Sequence, residues 1–335
     1  MSYTRNTVAR LARVSSATVS RVYNHPERVD EATARRVRQA AEKLGYVPDP
    51  NASALRRKES GVILFCQERV DDYRADRYYK WVYADVLLAI ISRLENTPYR
   101  LRIQPYTKID ELKTVAQETR AEAIIAYGIH DVQAAADLAG IGLPYVCGHQ
   151  LYGAAKDLNV VSVDETFGGA LAGAALRDAG LRHPAHIAGA LGHYNVCQFR
   201  WEGFRSVFPG RAIPLINHGL GITAGREAAQ HLLPLIRSRK IDSVFVVNDL
   251  TALGVVQVLV ENGVKIPDQL SVVAYDNLPF IDALPVKLTT VDINFGGLYR
   301  TAVDLLLRAM RTGEPATAQH RPVLVPGDSV RRAKR

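Results

Sequence analysis

The sequence of 335 residues is short of cysteine and has no long apolar run. Its three cysteines, Cys66, Cys147 and Cys197, stand far apart without a CxxC pair, which excludes a disulfide framework and predicts free thiols. No apolar run approaches the roughly 20 residues of a membrane-spanning helix. The N-terminus "MSYTRNTVARLARVSS" also lacks the apolar segment of a secretory signal. These absences predict a cytoplasmic protein with no membrane partner.

The sequence also lacks the short motifs of catalysis. It contains no Walker loop, no G-x-S-x-G and no HExxH, and it offers no evident acid and base pair. His183 and His186, in "HPAH", fit a turn and the start of a strand better than a metal site. We therefore expect the protein not to be an enzyme and to hold neither a metal nor a cofactor.

Positive charge is in excess, and most of it lies at one end of the chain. Residues 1–60 carry 12 Lys and Arg against 6 Asp and Glu, whereas the remainder carries 30 against 28. Such asymmetry is typical of a basic nucleic-acid-binding module joined to a nearly neutral body. A solvated basic surface without a partner is the alternative.

Residues 1–48 have the pattern of three short helices. The first repeats apolar residues at i, i+3 and i+4 from Val8. The second can begin after Ser15, a good N-cap residue. The third can run from Asp30 as N-cap to Gly45, a natural residue just past a helix end. Two helices joined by a tight turn, with a third behind them, predict a helix-turn-helix.

The second of these helices has an apolar face and a polar face. Val19 and Val22 face the predicted core. In a helix-turn-helix the second helix enters the major groove, where Arg21 could bond a guanine bidentately. The predicted DNA-contacting residues of this segment are Ser15, Ser16, Ala17, Thr18, Ser20, Arg21 and Asn24. The alternative is that this face is only the solvated side of a small helix.

The arrangement as a whole resembles the lactose-repressor (LacI/GalR) family of bacterial transcription regulators. The matching motifs are "VA..A.VS..TVSRV.N", "V...T...V..A...LGY.P" and "N..A..L", in the family's order and spacing. One departure is Arg13, where the family usually has glycine. A left-handed backbone there costs a residue other than glycine on the order of 1 kcal/mol.

The resemblance also implies a hinge helix in residues 49–60. In such a helix Leu55, with Ala52 beside it, would wedge into the minor groove and kink the duplex. Pro50 suits the first turn of the helix. Ser53 departs from the arginine or glutamine common in the family. A flexible linker is the alternative for this stretch.

From Gly61 onward, short apolar runs such as "GVILFC", "EAIIAYG" and "SVFVVND" alternate with helical stretches. This alternation predicts mostly parallel sheets covered by helices, and there are too many strands for one ordinary sheet. With the core that the family resemblance implies, the predicted fold class is an all-α helix-turn-helix headpiece plus an α/β two-lobed periplasmic-binding-protein-like core. The resemblance also implies the lobe boundaries, so the predicted domains are the headpiece (1–48), the hinge (49–60), an N-terminal lobe (61–161 and 292–321) and a C-terminal lobe (162–291 and 322–335).

The resemblance implies an effector cleft between the lobes. Arg200 in "FRWEGF", Asn248 in "VVNDLTALG" and Asp276 in "VVAYDN" match the family's effector positions, with Arg200 expected at the start of a helix. Asp249 and Asp164 fit helix caps better than ligand contacts.

Residues 67–83 depart most from the family. This stretch is crowded with charge and aromatic residues. Asp72 and Tyr73, together with Arg77, Tyr78 and Trp81, could line the cleft. An exposed loop followed by an amphipathic helix is the alternative.

These features together predict a DNA-binding repressor controlled by a small-molecule effector, a sugar or sugar derivative. No apolar heptads follow the core, so we expect a homodimer on a near-palindromic operator. Two other classes stay open: a solute-binding protein, which needs export, and a sugar-acting enzyme, which needs catalytic residues.

Overall fold

The structure is a computed structural model that describes residues 4–24, 26–46, 60–68, 77–129, 132–149, 158–189, 191 and 195–332. The chain divides into two compact units, residues 1–60 and residues 61–335. The predicted hinge residues Ala52 and Leu55, and the predicted effector residues Asp72 and Tyr73, lie outside the described residues.

The first unit contains the three predicted helices. They are α1 (Arg5–Ala12), α2 (Ser16–Asn24) and α3 (Glu31–Leu44), with a 3-10 turn at Pro26–Arg28. Two of the predicted caps are confirmed: Ser15 Oγ accepts from the Thr18 amide at 3.0 Å, and the Asp30 carboxylate from the Thr33 amide at 2.9 Å. Gly45 ends α3 in a left-handed conformation, as predicted.

Arg13 occupies the turn between α1 and α2 in a left-handed conformation, with φ at 55°. The turn therefore keeps the backbone geometry that glycine would favour, although the residue is arginine. Val8, Val19, Val22 and Val37 are buried and form the centre of the small core beneath it.

The second unit is built on two six-stranded sheets. The first has the order β11-β5-β4-β3-β1-β2, and all its described pairings are parallel. Its strands are β1 (Val62–Glu68), β2 (Arg100–Tyr106), β3 (Ala123–Tyr127), β4 (Tyr145–His149), β5 (Val160–Val163) and β11 (Thr317–His320). Residues of β3 and β4 are buried throughout, as expected for parallel strands covered on both faces.

The second sheet has the order β12-β10-β9-β8-β6-β7 and is parallel except for the β10–β12 pair. Its strands are β6 (Pro184–Ala188), β7 (Leu215–Asn217), β8 (Ser243–Val246), β9 (Ser271–Asp276), β10 (Thr289–Asp292) and β12 (Val323–Val325). The chain changes sheet between β5 and β6, between β10 and β11 and between β11 and β12. The lobe boundaries stated above stay a prediction.

Helices cover both sheets. They are α4 (Arg77–Leu94), α5 (Ile109–Thr119), α6 (Val132–Ala139), α7 (Glu165–Asp178), α8 (Asn195–Ser206), α9 (Ile222–Arg237), α10 (Asp249–Glu261) and α11 (Phe295–Thr312). Helices α4 and α11 pack together over the first sheet, while α7 packs on α8 beside the second. Among the described residues, no helix is long and apolar enough to cross a membrane.

The three cysteines are free, as predicted, and they are also buried. Burial raises the pKa of the Cys66 and Cys147 thiols to about 12 and that of Cys197 to about 11. Thiols with such pKa values are almost wholly protonated near neutral pH and are therefore unreactive.

Candidate functional site

Helix α2, the predicted recognition helix, separates its apolar and polar faces as expected. Val19 and Val22 are buried, whereas Ala17 and Arg21 are exposed. Of the other predicted contacts, Ser15 is exposed and Ser16, Thr18 and Ser20 are half-buried, while the Asn24 side chain lies outside the described residues. The helix therefore presents a small residue and an arginine on one exposed face.

Ser15 and Thr18 already bond to each other at the start of this helix. Their hydroxyl oxygens are 2.8 Å apart, and Ser15 also accepts from the Thr18 amide. Part of the hydrogen-bonding capacity of both side chains is therefore used to cap the helix. The cap does not involve Ala17 and Arg21, the predicted contacts that are exposed on this helix.

In the second unit, Arg200 lies at the centre of a buried polar cluster. It is the sixth of the twelve residues of α8, so the expectation that it starts a helix is wrong. Its side chain is 4% exposed and forms a bidentate ion pair with Glu165, in which Nε and Nη2 donate at 2.8 Å and 3.1 Å. Nη1 donates to the Val247 carbonyl at 2.7 Å, and the guanidinium lies 3.7 Å from the centre of the Tyr275 ring.

Asp276 completes this cluster. It is the last residue of β9, is buried, and has a carboxylate oxygen 3.4 Å from Arg200 Nη2. Its backbone adopts φ of 108°, which is rare for a residue other than glycine. Strained backbone of this kind concentrates at ligand clamps and active sites. We call Glu165, Arg200 and Asp276 the acid–guanidinium cluster.

Sequence reasoning missed Glu165. It is the first residue of α7, where a glutamate is usually exposed, yet it is 1% exposed here. Its position follows from the close contact of α7 and α8: a Cβ on Gly203 would overlap the Thr166 carbonyl, and one on Gly169 would overlap the Arg200 carbonyl. The glycines of "ETFGG" and "WEGF" were the available signal, since paired glycines allow two helix backbones to touch.

The electrostatics of the cluster follow from its burial. Burial alone would raise the pKa of Glu165, but the charge and hydrogen bonds of Arg200, with a smaller contribution from His149, outweigh it and hold that pKa below its usual range. Arg200 keeps its charge, because Glu165 and Asp276 raise its pKa well above the ordinary value despite burial. The cluster is a site with two carboxylates and one guanidinium.

The predicted cap at Asp249 is wrong, because the preceding residue, Asn248, caps helix α10. Asn248 is the N-cap of α10, with Oδ1 accepting from the Thr251 amide at 2.8 Å. Asp249 is not the cap: it is fully buried and accepts from the Leu278 amide at 2.7 Å and from Thr290 Oγ1 at 2.9 Å. It therefore ties α10 to the crossover strand β10. Asp164 does cap α7, as predicted, at 3.0 Å from the Phe167 amide.

Asp249 gives a testable pH dependence. Burial and the charge of Asp276 raise the pKa of Asp249 well above its usual value. The folded state thus holds a proton that the unfolded state releases above a pKa of about 4. The free energy of unfolding therefore falls as the pH rises from about 4 toward the raised pKa of the folded state. Asparagine mimics the protonated side chain, because it can accept from Leu278 and donate to Thr290. We expect Asp249→Asn to gain stability relative to the parent between pH 5 and pH 8, measured by urea denaturation.

Asp249→Leu is the matched control for Asp249→Asn. It leaves the Leu278 amide and the Thr290 hydroxyl without their buried partner, which costs about 1–3 kcal/mol of folding stability at pH 5 and at pH 8 alike. Equal pH responses of the parent and Asp249→Asn would contradict the assignment of a raised pKa to this carboxyl.

Aromatic residues line the corresponding end of the first sheet. Phe65, Tyr83, Tyr127, His149 and Tyr299 form this aromatic cluster. The rings of Tyr127 and Tyr299 stack at 5.9 Å, and Tyr127 lies 5.5 Å from Tyr83 and 6.0 Å from His149. His149 ends β4 with φ of 84°, a second strained residue at a strand end. Tyr127, His149 and Asp276 are the last residues of parallel strands, and the carboxyl ends of such strands are where open α/β sheets bind ligands.

The sequence signal for the aromatic cluster was partial. Tyr127 and His149 close the apolar runs "AIIAY" and "YVCGH", but we singled out neither. Tyr83 closes the unusual segment 67–83, whose second half does form the helix α4. The side chains of Arg77, Tyr78 and Trp81 lie outside the described residues, so their predicted place in the cleft stays a prediction.

His183 directly precedes β6, and His186 belongs to that strand. His186 lies within β6 rather than at its start, is fully buried, and packs between the rings of Trp201 at 5.4 Å and Phe245 at 4.7 Å. Burial lowers the pKa of His186 to about 3, so the ring is neutral. Within the part of the chain that the structure describes, no group of three or more metal-ligating residues is present.

A capped helix-turn-helix and a two-sheet α/β core with polar and aromatic clusters at the strand ends define a DNA-binding regulator with a ligand-binding core. The description "Bacterial regulatory proteins, lacI family" matches residues 6–49, and "Periplasmic binding protein-like domain" matches residues 173–330. The chain thus combines a DNA-binding domain of the lacI family of bacterial regulatory proteins with a periplasmic-binding-protein-like domain, and it is a DNA-binding transcription regulator.

Named relatives cover almost the whole chain. The sucrose operon repressor of Streptococcus mutans is 27% identical over 337 residues, 96% of this chain and 98% of its own. The ribose operon repressor of Haemophilus influenzae is 27% identical and covers 92% of each chain.

Solved structures show the same fold. A lac repressor dimer bound to operator and the anti-inducer ONPF has a TM-score of 0.80 at 22% identity, over 99% of this chain and 100% of that one. A complex of the regulator CelR with cellobiose has a TM-score of 0.70 at 23% identity, over 98% and 99% of the two chains.

Proposed function

We propose that the protein is an operator-specific repressor whose affinity for DNA is controlled by a neutral sugar or sugar derivative. The observation that carries the proposal is the buried acid–guanidinium cluster at the strand ends of the second sheet. Three ionisable side chains are buried there, and burying charge costs free energy even when the charges are paired. Buried ionisable groups with perturbed pKa values concentrate at functional sites, which favours a ligand site here. In the same unit, the aromatic cluster occupies the strand ends of the first sheet.

The chemistry of both clusters suits a polyhydroxylated ring. Carboxylates accept hydrogen bonds from vicinal hydroxyl groups, and a guanidinium donates to them. Aromatic rings supply flat apolar surface for the face of a sugar ring. The proposed effector contacts are Arg200, Asn248 and Asp276, with Asp72 and Tyr73 from the segment outside the described residues.

The charge of the cluster favours a neutral effector. Glu165 and Asp276 together carry two negative charges, while the single guanidinium of Arg200 already bonds to both Glu165 oxygens. A phosphate group in this position would meet two carboxylates in a medium of low dielectric constant, where like charges repel strongly. Unphosphorylated sugars are therefore the expected class, in line with the cellobiose found in the CelR complex.

On the DNA side, the proposed contacts are those of the recognition helix, Ser15, Ser16, Ala17, Thr18, Ser20, Arg21 and Asn24. The proposed hinge contacts are Ala52 and Leu55. The lac repressor structure with a TM-score of 0.80 is a dimer on its operator, and by analogy we propose a homodimer on a near-palindromic site. A regulator of chromosomal genes acts in the cytoplasm, where we place it.

The domain division is part of the same proposal. We assign residues 1–48 to the headpiece, 49–60 to the hinge, 61–161 with 292–321 to the N-terminal lobe, and 162–291 with 322–335 to the C-terminal lobe. It is supported by the points at which the chain passes from one sheet to the other.

Selection from random DNA followed by effector titration tests the proposal. The purified full chain is used to enrich duplexes, and binding to the enriched site is then measured by fluorescence anisotropy with neutral sugars and their phosphates. We expect a near-palindromic site and a change in its affinity of about 5- to 150-fold with at least one neutral sugar. No enriched site would refute the DNA assignment; a response to sugar phosphates alone would refute the effector class.

A further inference from the structure

One hydrogen bond joins the first helix of the headpiece to the start of the recognition helix. Arg5, the first residue of α1, donates through Nε to Ser16 Oγ at 2.6 Å, across 11 positions of sequence. Ser16 is the first residue of α2 and half-buried. The bond therefore places a guanidinium from another helix directly beside a predicted base contact.

Among the described residues, the guanidinium of Arg5 is engaged through Nε alone. Within the part of the chain that the structure describes, the ion pairs do not include Arg5, so its charge is not balanced by a headpiece carboxylate. Two acids of the headpiece are engaged elsewhere: Asp30 caps α3, and Glu31 pairs with Arg35 at 4.0 Å. The bond to Ser16 is thus the contact that fixes the orientation of this side chain.

This bond also decides what Ser16 can offer to DNA. A serine hydroxyl has one donor and two acceptor positions, and it rotates freely until a partner fixes it. With Arg5 donating to one lone pair, the Ser16 O–H points away from the guanidinium. Ser16 is thereby oriented as a donor, and in the major groove a donor matches purine N7, guanine O6 or thymine O4, whereas an amino group would need the one remaining lone pair.

We propose that Arg5 is a positioning residue for sequence recognition: it holds the Ser16 hydroxyl as a hydrogen-bond donor toward an acceptor on a base edge. This inference rests on the proposed function, because it requires α2 to lie in the major groove. The sequence carries no signal for this role of Arg5, since no helical periodicity connects residues of different helices.

The test is the base preference of the full chain at each operator position. The variants are Arg5→Met, which keeps the aliphatic stem and removes the donor, and Ser16→Ala, compared on duplexes carrying each of the four bases in turn. We expect Arg5→Met to weaken discrimination by about threefold to tenfold at the same base pair that Ser16→Ala affects, as for the loss of one hydrogen bond. The double variant should lose little more than either single variant.

Two further variants keep the result interpretable. Arg10→Met removes an exposed arginine from the same helix and should leave the preference at that base pair unchanged. Arg5→Lys retains a charged donor and should restore part of the preference, even if Arg5→Met unfolds the headpiece.

The inference would be overturned if Arg5→Met lowered the affinity equally on all sequences and reduced the salt dependence of binding by about one phosphate contact. Arg5 would then bind the DNA backbone. Additive effects of Arg5→Met and Ser16→Ala would overturn it as well. If the parent protein itself prefers no sequence, the proposed function fails instead, so the two failures are distinct.

Discussion

Replacing Arg200 with methionine is expected to lower the free energy of unfolding of the residue 61–335 unit by about 3–5 kcal/mol. Methionine fills a similar volume but leaves the Glu165 and Asp276 carboxylates buried without a positive partner. It also removes the donor to the Val247 carbonyl. Desolvated charge without a counter-charge is among the few single-residue changes with effects this large. Urea denaturation followed by tryptophan fluorescence measures it, because both tryptophans belong to this unit.

A second change in the same cluster separates charge from packing. Glu165→Leu in the Arg200→Met background removes a buried carboxylate that has lost its positive partner. The free energy of unfolding of the double variant should therefore exceed the value expected from the sum of the single effects by at least about 2 kcal/mol. Arg226→Met is the matched surface control: Arg226 bonds to Glu261 at 3.1 Å with both side chains about half exposed, and its loss should cost less than about 1 kcal/mol. A cost below 1 kcal/mol for Arg200→Met as well would contradict the role of the cluster in stability.

Local features of this fold could be predicted from the sequence because neighbouring residues determine them. Ser15, Asp30 and Asp164 cap helices through amides three residues ahead, a contact that sequence spacing alone specifies. The buried parallel strands, such as β3 and β4, stand out as continuous apolar runs. These interactions need no knowledge of the tertiary structure.

The acid–guanidinium cluster could be predicted only in part, because its contacts join distant positions. Glu165 and Arg200 are 35 residues apart and meet since Gly169 and Gly203 let α7 and α8 touch. Asn248 and Asp249 are both good cap residues, and only the tertiary partners Leu278 and Thr290 decide which of them is buried. The sequence therefore identifies candidate polar residues here, whereas the packing of the helices determines which role each residue has.

The same reasoning limits what the sequence says about the aromatic cluster. Tyr83, Tyr127 and Tyr299 come from α4, β3 and α11, and their rings meet only because α4 and α11 pack over the first sheet. Each tyrosine by itself is an ordinary core residue in sequence. Their common position at the strand ends, next to the strained residue His149, is what marks them as candidates for ligand contact.

Replacing Arg21 with alanine is expected to remove most of the sequence discrimination of the protein while leaving its nonspecific affinity for DNA. Arg21 is exposed on the face of α2 opposite Val19 and Val22, and an arginine bonded bidentately to guanine contributes about 1–3 kcal/mol of discrimination in each half-site. A dimer contains two such contacts, one in each half-site. The ratio of specific to nonspecific affinity should therefore fall by the square of the factor that corresponds to the loss of one contact. The measurement is anisotropy titration on the selected operator and on a scrambled duplex across a range of salt concentrations.

Arg36→Ala is the control for this change, because it removes an equally exposed arginine from α3 rather than from the recognition helix. It should leave the ratio of specific to nonspecific binding unchanged. For Arg21→Ala, the salt dependence on scrambled DNA should also stay the same, since a base contact adds nothing to nonspecific binding. If Arg21→Ala weakened both duplexes equally and reduced the salt dependence, Arg21 would be a phosphate contact. The choice of bases would then belong to Ser16 and Ala17.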